Sequence, residues 1–205
     1  LRYGIPNFKM EKHYIDKRVI QMEKEGVEFK CNSHIGSDIN VEDIIKNYDA
    51  VVLACGSEEP RDLNIPGRNL DGIYFAMDFL TPQNKICEGD KLKDEEIISA
   101  KGKNVVVIGG GDTGSDCIGT SNRHKAKSVV NFEIQSKPPK KRSEENPWPY
   151  WPFTLKNSSS HEEGIKRQWS IMTKEFIGDK NGNLTGLKTV KVEWKKDEEG
   201  IFKLM

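Results

Sequence analysis

Three consecutive valines lead directly into a glycine-rich turn, and this stretch constrains the fold more than any other. Residues 105–107 are typical of a short buried strand. The turn that follows has the spacing G-x-G-x-x-G, with its glycines at Gly109, Gly111 and Gly114. Residues 115–124 suit a helix, and residues 128–133 form a second β-rich run. This order predicts a βαβ unit that binds a dinucleotide, with an ordinary glycine-rich turn as the alternative.

Each position of the turn has an expected part in holding the coenzyme. Gly109 permits the tight turn, Gly111 lets the backbone approach a diphosphate, and Gly114 lets the helix pack on the strand. The helix N-terminus offers free N–H groups and a partial positive charge. The other turn residues are expected either to contact the coenzyme or only to cap the helix: Gly110, Asp112 and Thr113.

An acidic residue ends the second strand, where such a side chain would bind the adenosine ribose. Glu133 lies 24 residues after Gly109, and its carboxylate would accept hydrogen bonds from the ribose hydroxyls. A carboxylate also repels a 2′-phosphate, so the sequence favours NADH over NADPH. The alternative is a solvent-facing acid at a strand end. Arg123 and Lys125 argue weakly for NADPH, because either would attract a 2′-phosphate.

Composition gives no indication of a nucleic-acid or membrane partner. The 205 residues include 32 Lys+Arg and 32 Asp+Glu, so the net charge is zero. No apolar run approaches the roughly 20 residues of a membrane helix. With no signal peptide visible, we expect an intracellular, cytoplasmic protein. The chain starts at Leu1 and ends at Met205 inside a predicted strand, so we expect it to be part of a longer polypeptide.

Neither the cysteines nor the histidines have the spacing of a metal site. The four cysteines are 24, 32 and 30 residues apart, at Cys31, Cys55, Cys87 and Cys117. Reduced thiols are therefore expected, without a zinc site, an iron–sulfur cluster or a vicinal redox pair. The histidines are predicted to be surface or capping residues: His13, His34, His124 and His161. Residues 158–160 beside His161 cannot form a catalytic triad and instead predict a helix N-cap.

The first third of the chain predicts alternating helices and strands. Ile15, Val19 and Met22 have helical spacing, and Asn40 is placed to cap a helix over residues 41–48. Residues 27–31 and 50–54 are predicted strands, which together with the helices indicate a parallel, helix-covered sheet. Residues 58–72 are rich in proline, glycine and charge and predict a connection between two sheet systems, and residues 78–100 predict one or two short helices.

Residues 136–160 are rich in proline, tryptophan and basic residues. Their prolines resemble a polyproline ligand, but the favoured interpretation is a loop held to its own domain by Trp148, Tyr150 and Trp151, which are costly to expose. Residues 140–142 are predicted to be a solvated basic patch, with contact to a coenzyme phosphate as the alternative.

The last third predicts antiparallel strands. Residues 171–177 and 184–194 flank the turn 178–182, and a second turn at 197–200 leads into residues 201–204. This pattern predicts a β-meander whose inward side carries Val190, Val192 and Trp194. The whole chain is therefore expected to be an α/β protein with a Rossmann-like parallel sheet and an antiparallel β-meander.

Several rare strings resemble the small subunit of glutamate synthase, and they extend over almost the whole chain. They are LRYGIPNFK at residues 1–9, VLACG at 52–56, FAMDFL at 75–80, VIGGGDTGSDC at 107–117, TSNRH at 120–124 and NPWP at 146–149. The branch that the chain most resembles is the pyridine-nucleotide-oxidising part of eukaryotic-type glutamate synthases.

The resemblance implies two dinucleotide-binding domains of the glutathione-reductase type. Residues 1–65 would be the C-terminal portion of an incomplete FAD-binding domain. Residues 66–205 would be an inserted NAD(P)H-binding domain that contains the β-meander and lacks its C-terminal end. Gly56 would lie beside the flavin nucleotide, where the family usually has Ala-Thr-Gly and this chain has Cys55 in place of the threonine.

The resemblance also implies a redox role within a larger protein. Hydride would pass from NADH or NADPH to FAD, and electrons would continue through iron–sulfur clusters outside this chain. The partner would be a large subunit or domain that makes glutamate from glutamine and 2-oxoglutarate. No catalytic acid or base is expected, because alignment of the two rings suffices. The alternatives are an electron-entry module like that of dihydropyrimidine dehydrogenase or ferredoxin reductase, and a non-catalytic interaction module that uses the proline–tryptophan segment.

Overall fold

The computed structural model describes residues 1–57, 59–196 and 202–204. They form two compact units, one of residues 12–62 and the other of residues 1–11 together with 63–205. The change of unit at residue 62 falls inside the predicted connection and close to the predicted domain boundary at 65. The first eleven residues pack with the larger unit, which was not predicted. The assignment of the two parts to FAD and NAD(P)H stays a prediction.

Two helices of the smaller unit agree with their sequence signals. Helix α1 spans His13–Lys24 and α2 spans Val41–Asn47. The Asn40 side chain accepts a hydrogen bond from the Glu42 N–H at 2.9 Å, so the predicted N-cap is confirmed. Within the described chain, no helix has both the length and the apolar character needed to cross a bilayer.

The two strands predicted in this unit are wrong. Residues 27–31 and 50–54 contain no strand, and Val52 and Leu53 are each 87% exposed. A strand needs the backbone of a neighbouring strand to satisfy its N–H and C=O groups. The described residues of this unit provide only one isolated bridge, between Ile35 and Ile39, so the expected parallel sheet does not form there.

The larger unit contains the predicted βαβ crossover. Helix α3 spans Ala76–Cys87 and a 3-10 turn spans Asp94–Glu96, which confirms the short helices predicted before the glycine turn. Strand β1 (Asn104–Ile108), helix α4 (Asp112–Arg123) and strand β2 (Ser128–Glu133) follow, and a short helix α5 (Ser159–Glu162) precedes strand β3 (Lys166–Trp169). The three strands form a parallel sheet in the order β1-β2-β3. The α/β fold class is thereby confirmed.

Helix α4 lies at the centre of this unit. Its residues from Ser115 to Ser121 are all buried, and the helix packs against α3, α5, β1 and β2. Small side chains allow this close packing. At Gly119, for example, a Cβ would lie 2.6 Å from the Phe8 ring and from the Ser160 hydroxyl. The surrounding elements therefore hold the helix, and with it the glycine turn at its N-terminus.

The antiparallel strands form two separate pairs. Strand β4 (Ile171–Gly178) pairs with β5 (Leu184–Lys191), which confirms the first predicted hairpin, and β6 (Trp194–Lys196) pairs with β7 (Phe202–Leu204). The predicted strand 184–194 is interrupted at Val192, whose N–H donates to the Ser170 carbonyl at 2.9 Å. The predicted antiparallel strands are therefore present, as two separate hairpin pairs in place of one long second strand. Val190 is 38% exposed, against the prediction that it faces inward. The turn predicted at 197–200 lies outside the described residues.

The aromatic residues of segment 136–160 do not hold it to its domain. Trp148, Tyr150 and Trp151 are 82%, 67% and 78% exposed, so the favoured interpretation is wrong. Hydrogen bonds within the segment shape the loop, from the Leu155 N–H to the Pro139 carbonyl and from the Phe153 N–H to the Asn146 side chain, both at 2.8 Å. Arg167 of β3 joins the segment to the sheet by donating to the Lys156 carbonyl at 3.1 Å. Residues 140–142 are exposed, as predicted for a solvated patch.

The four thiols are expected to differ in reactivity according to their burial. Burial, and to a lesser extent the charge of Asp116, raises the pKa of the Cys117 thiol to about 12, whereas Cys31, Cys55 and Cys87 are exposed. Because the thiolate is the nucleophile, we expect three thiols to react quickly with dithionitrobenzoate at pH 8 and Cys117 to react only on unfolding. Four fast thiols in the native chain would contradict this placement.

Candidate nucleotide-binding site

The glycine turn connects the end of β1 to the start of α4 with the geometry that a dinucleotide cradle requires. Gly109 and Gly111 both have φ of 98°, a conformation that side chains rarely adopt. A Cβ at either position would meet nothing within 4 Å, so the space in front of the turn is open. At Gly114 a Cβ would lie 2.9 Å from the Gly109 carbonyl oxygen. The third glycine thus permits the close approach of helix and turn, and the first turn of α4 faces the open space with exposed Asp112 and Thr113.

A buried asparagine on β2 holds the turn in place. Asn131 is fully buried, and its Nδ2 donates to the carbonyls of Val107 and Gly109 at 3.1 and 2.8 Å. The Gly109 N–H donates in turn to the Phe132 carbonyl at 2.8 Å. Gly109 is therefore bonded through both of its backbone groups. The role of Asn131 was not predicted, because one polar residue in an apolar strand has no distinguishing signal.

The predicted acidic residue lies against the turn. A Cβ on Gly110 would overlap the Glu133 carboxylate, so the absence of a side chain at Gly110 leaves room for Glu133. Glu133 also pairs with Arg167 on β3, with 3.3 Å between Oε1 and Nη2. The two side chains are only 15% and 13% exposed, which excludes the alternative of a solvent-facing acid.

An open cavity of about 500 Å³ lies beside the glycine turn. Its walls include Gly111, Asp112, Glu133, Arg167, Trp169 and the loop 154–158. The free N–H groups of a helix start attract anions, and the carboxylate at the end of β2 is a hydrogen-bond acceptor for hydroxyl groups. The cavity therefore combines the groups that would bind a diphosphate and a ribose.

A polar cluster forms one wall of the cavity. Lys9 Nζ donates to Ser115 Oγ at 3.4 Å and to Ser159 Oγ at 3.2 Å, and the hydroxyls of Ser115 and Ser158 are hydrogen-bonded to each other. The Ser158 N–H donates to His161 Nδ1 at 3.0 Å, so Ser158 caps α5 as predicted. The Ser158 hydroxyl oxygen also lies 3.2 Å from His161 Nδ1, so both contacts form within the first turn of α5.

The surroundings of His161 favour the neutral form of its imidazole. Burial lowers its pKa below the ordinary value, and the positive charges of Arg167 and Lys9 lower it further. The pKa of His124 is also lowered by burial. Among the described residues, no group of three or more His, Cys, Asp and Glu side chains is arranged to hold a metal ion.

Several basic residues that the sequence offered for a coenzyme phosphate lie away from the cavity. Arg123 is at the opposite end of α4 from Gly111, about 18 Å away along a helix of this length. Its guanidinium pairs with Glu163 at 2.8 Å and lies 3.6 Å over the Phe8 ring. Arg123 is therefore not placed to meet a 2′-phosphate at Glu133. Residues 140–142 are not among those that line the cavity.

Gly56, predicted to lie beside a flavin nucleotide, belongs to the smaller unit. It has φ of 71°, and a Cβ there would meet nothing within 4 Å. Arg167, which lines the cavity together with Lys156, lies on a strand that was not predicted. The sequence of β3, Lys-Arg-Gln-Trp, has little apolar character, so no periodic signal could have identified it.

Comparison with known proteins gives consistent matches along the chain. A family profile described as pyridine nucleotide-disulphide oxidoreductase matches residues 8–202. Glutamate synthase (NADH) of Schizosaccharomyces pombe is 47% identical over 98% of the chain, and glutamate synthase (NADPH) small chain of Mycobacterium tuberculosis is 48% identical over 94%. The chain spans 10% of the first relative and 40% of the second.

Solved structures give the same picture of the fold. FprA of Mycobacterium tuberculosis in complex with NADPH matches with a TM-score of 0.65 at 16% identity. The match covers all of this chain and 56% of the FprA chain.

Proposed function

Because the chain belongs to the pyridine nucleotide-disulphide oxidoreductase family, we propose that it is the coenzyme-binding segment of a glutamate synthase. In this proposal the larger unit binds NADH in the cavity beside the glycine turn. The hydride then passes to FAD in the longer protein. The 47% and 48% identity to glutamate synthases of two organisms supports this choice over the other electron-entry modules.

The observation that carries the proposal is the open cradle at the end of β1. The positive φ of Gly109 and Gly111 exposes backbone in front of α4, and nothing occupies the space that a Cβ would take there. A cavity of about 500 Å³ continues from the turn to Glu133. The residues present therefore suit a dinucleotide, with the diphosphate at Gly109, Gly110, Gly111, Asp112, Thr113 and Gly114.

Glu133 is the residue that we propose selects NADH over NADPH. Its carboxylate lies between Gly110 and Arg167, where it can accept hydrogen bonds from the ribose hydroxyls. A 2′-phosphate at the same place would meet a buried negative charge and be repelled. The names of the relatives include both coenzymes, so the choice depends on the residues of this chain.

The chain contributes binding and alignment to the reaction. The bound nicotinamide would supply the hydride, a transfer that needs no protein acid or base. The helix start and the glycine turn would hold the diphosphate, and Glu133 would hold the ribose. Fixing these two points limits the positions open to the nicotinamide ring, which raises the rate through proximity and orientation.

The remaining parts of the proposal concern the longer protein. The described residues of the smaller unit form no sheet, and no atoms lie within 4 Å of a Cβ placed on Gly56. These residues therefore provide no FAD-binding site by themselves. We therefore assign FAD and the iron–sulfur clusters to the longer protein, with the large subunit or domain of glutamate synthase as partner. An intracellular location belongs to the same proposal and is supported by the four free cysteines.

A role in protein interaction is a second candidate, supported by the exposed aromatics of segment 136–160. Trp148 and Trp151 are 82% and 78% exposed, and such side chains are enriched where proteins bind each other. If this candidate is correct, partner binding by the segment does not depend on a coenzyme.

A coenzyme titration separates the two candidates. We expect the 205-residue chain to bind NADH saturably, with NADPH weaker by about tenfold, or on the order of 1.4 kcal/mol. Calorimetry with each coenzyme gives both dissociation constants. Absence of saturable binding of either coenzyme would refute the proposal. Bleaching of the flavin spectrum by NADH in the longer protein would test the hydride transfer.

A further inference from the structure

Among the residues that the structure describes, Arg167 is the one guanidinium that both lines the coenzyme cavity and contacts the predicted ribose-binding residue. Its Nη2 lies 3.3 Å from Glu133 Oε1. Only 13% of its side chain is exposed, so the positive charge is largely withdrawn from water. An uncompensated cation at such depth attracts anions strongly, because the surroundings screen it poorly.

Contacts other than Glu133 keep the guanidinium in place. Nη1 donates to the Lys156 carbonyl at 3.1 Å and to the Asn157 side chain at 3.2 Å. The group also lies 4.9 Å from the centre of the Trp169 ring. The position of Arg167 therefore depends on three groups besides the carboxylate, and we expect it to persist when Glu133 loses its charge.

We propose that Arg167 is a positioning residue that determines coenzyme choice through Glu133. We also propose that its guanidinium is a binding site for a 2′-phosphate, which the Glu133 carboxylate blocks in the native chain. This inference rests on the proposed function. In the native chain Arg167 holds the Glu133 carboxylate in a position from which it can reach the ribose, as a neighbouring donor fixes a ligand group. The carboxylate in turn neutralises the cation. Once the carboxylate is neutral, the guanidinium is free to form charge-assisted hydrogen bonds with phosphate oxygens.

A purely structural role is the competing explanation. Arg167 ties the loop at Lys156 and Asn157 to the sheet, so its removal could loosen the cavity and weaken every nucleotide equally. The two explanations differ in the coenzyme that responds. If Arg167 only holds the loop, its removal lowers the affinities for NADH and NADPH together. If it has the proposed role, a change of Glu133 moves the two affinities in opposite directions.

The test is a double-mutant cycle with both coenzymes. For Glu133→Gln we expect NADPH to bind at least tenfold tighter than to the native chain. For Arg167→Gln we expect NADH to bind several-fold weaker. In the variant that carries both changes, the gain in NADPH affinity should disappear. In the variant with Glu133→Gln and Arg167→Lys, most of that gain should be retained because the cation is kept. Calorimetric dissociation constants and far-ultraviolet circular dichroism are measured for each variant.

Glu163→Gln is the matched control. It removes the same charge from a glutamate paired with an arginine, here Arg123, at the other end of α4, and should leave both coenzyme affinities unchanged. The proposal is overturned if Glu133→Gln brings no gain for NADPH, or if the gain survives the loss of Arg167. NADH binding by the native chain distinguishes either of these results from a failure of the proposed function. If the proposed function is wrong, the native chain binds neither coenzyme.

Discussion

Replacement of Gly111 by alanine is expected to weaken NADH binding by at least tenfold. Gly111 has φ of 98° and ψ of −172°, a combination that is nearly restricted to glycine. A Cβ there would extend into the open space in front of the turn, where the diphosphate has to approach the backbone N–H groups. The loss should be visible as a shift of the NADH titration under conditions in which the variant remains folded.

Gly89 provides the matched control for this substitution. It has φ of 96°, and a Cβ there would also meet nothing within 4 Å, but it follows the C-terminal end of α3 and is not among the cavity residues. Gly89→Ala should therefore lose stability through the same kind of backbone strain and keep its NADH affinity. Equal NADH affinities for Gly111→Ala and Gly89→Ala would contradict the cradle.

Substitution of Asn131 by aspartate is expected to destabilise the larger unit by roughly 3 kcal/mol at pH 7. The change keeps the shape of the side chain and removes its only donor. The carboxylate would then face the Val107 and Gly109 carbonyl oxygens, which Asn131 now bonds at 3.1 and 2.8 Å. A charge in this fully buried position has no compensating partner among the described residues. Urea unfolding followed by circular dichroism measures the loss.

The pH dependence of this variant gives an independent check. Burial and the facing carbonyls would raise the pKa of the new carboxyl in the folded state above its unfolded value of about 3.9. Because the folded pKa is raised, the loss in free energy of unfolding relative to the native chain is smallest below about pH 4. This loss grows as the pH rises through the folded pKa. A deficit that does not change with pH would argue against a buried charge at this position.

Asn104→Asp on the neighbouring strand is the control. Asn104 is exposed, and its Oδ1 accepts a hydrogen bond from the Ser128 hydroxyl at 2.8 Å, which a carboxylate oxygen accepts equally well. We expect a change within about 0.5 kcal/mol, as is usual for the surface. A comparable loss at both positions would show that the donor of Asn131 has no special part in the fold.

The sequence by itself determined the βαβ unit, because the information is local. The valine run, the three spaced glycines and the helix that follows specify backbone conformations within about 30 residues, and Glu133 is identified by its distance from Gly109 along the chain. The N-cap at Asn40 and the hairpin of β4 and β5 were predictable for the same reason. The N-cap and the hairpin each depend on residues with a particular side chain or backbone conformation at a fixed position in the local sequence.

Only the tertiary structure decided which side chains meet at the cavity. Arg167 reaches Glu133 because β3 pairs with β2 in one particular register, and Asn131 reaches Gly109 across β1 and β2. Contacts between residues 20 to 35 positions apart leave no trace in local periodicity. The strand predicted at 50–54 was wrong for the converse reason, since an apolar run becomes a strand only where another strand satisfies its backbone hydrogen bonds.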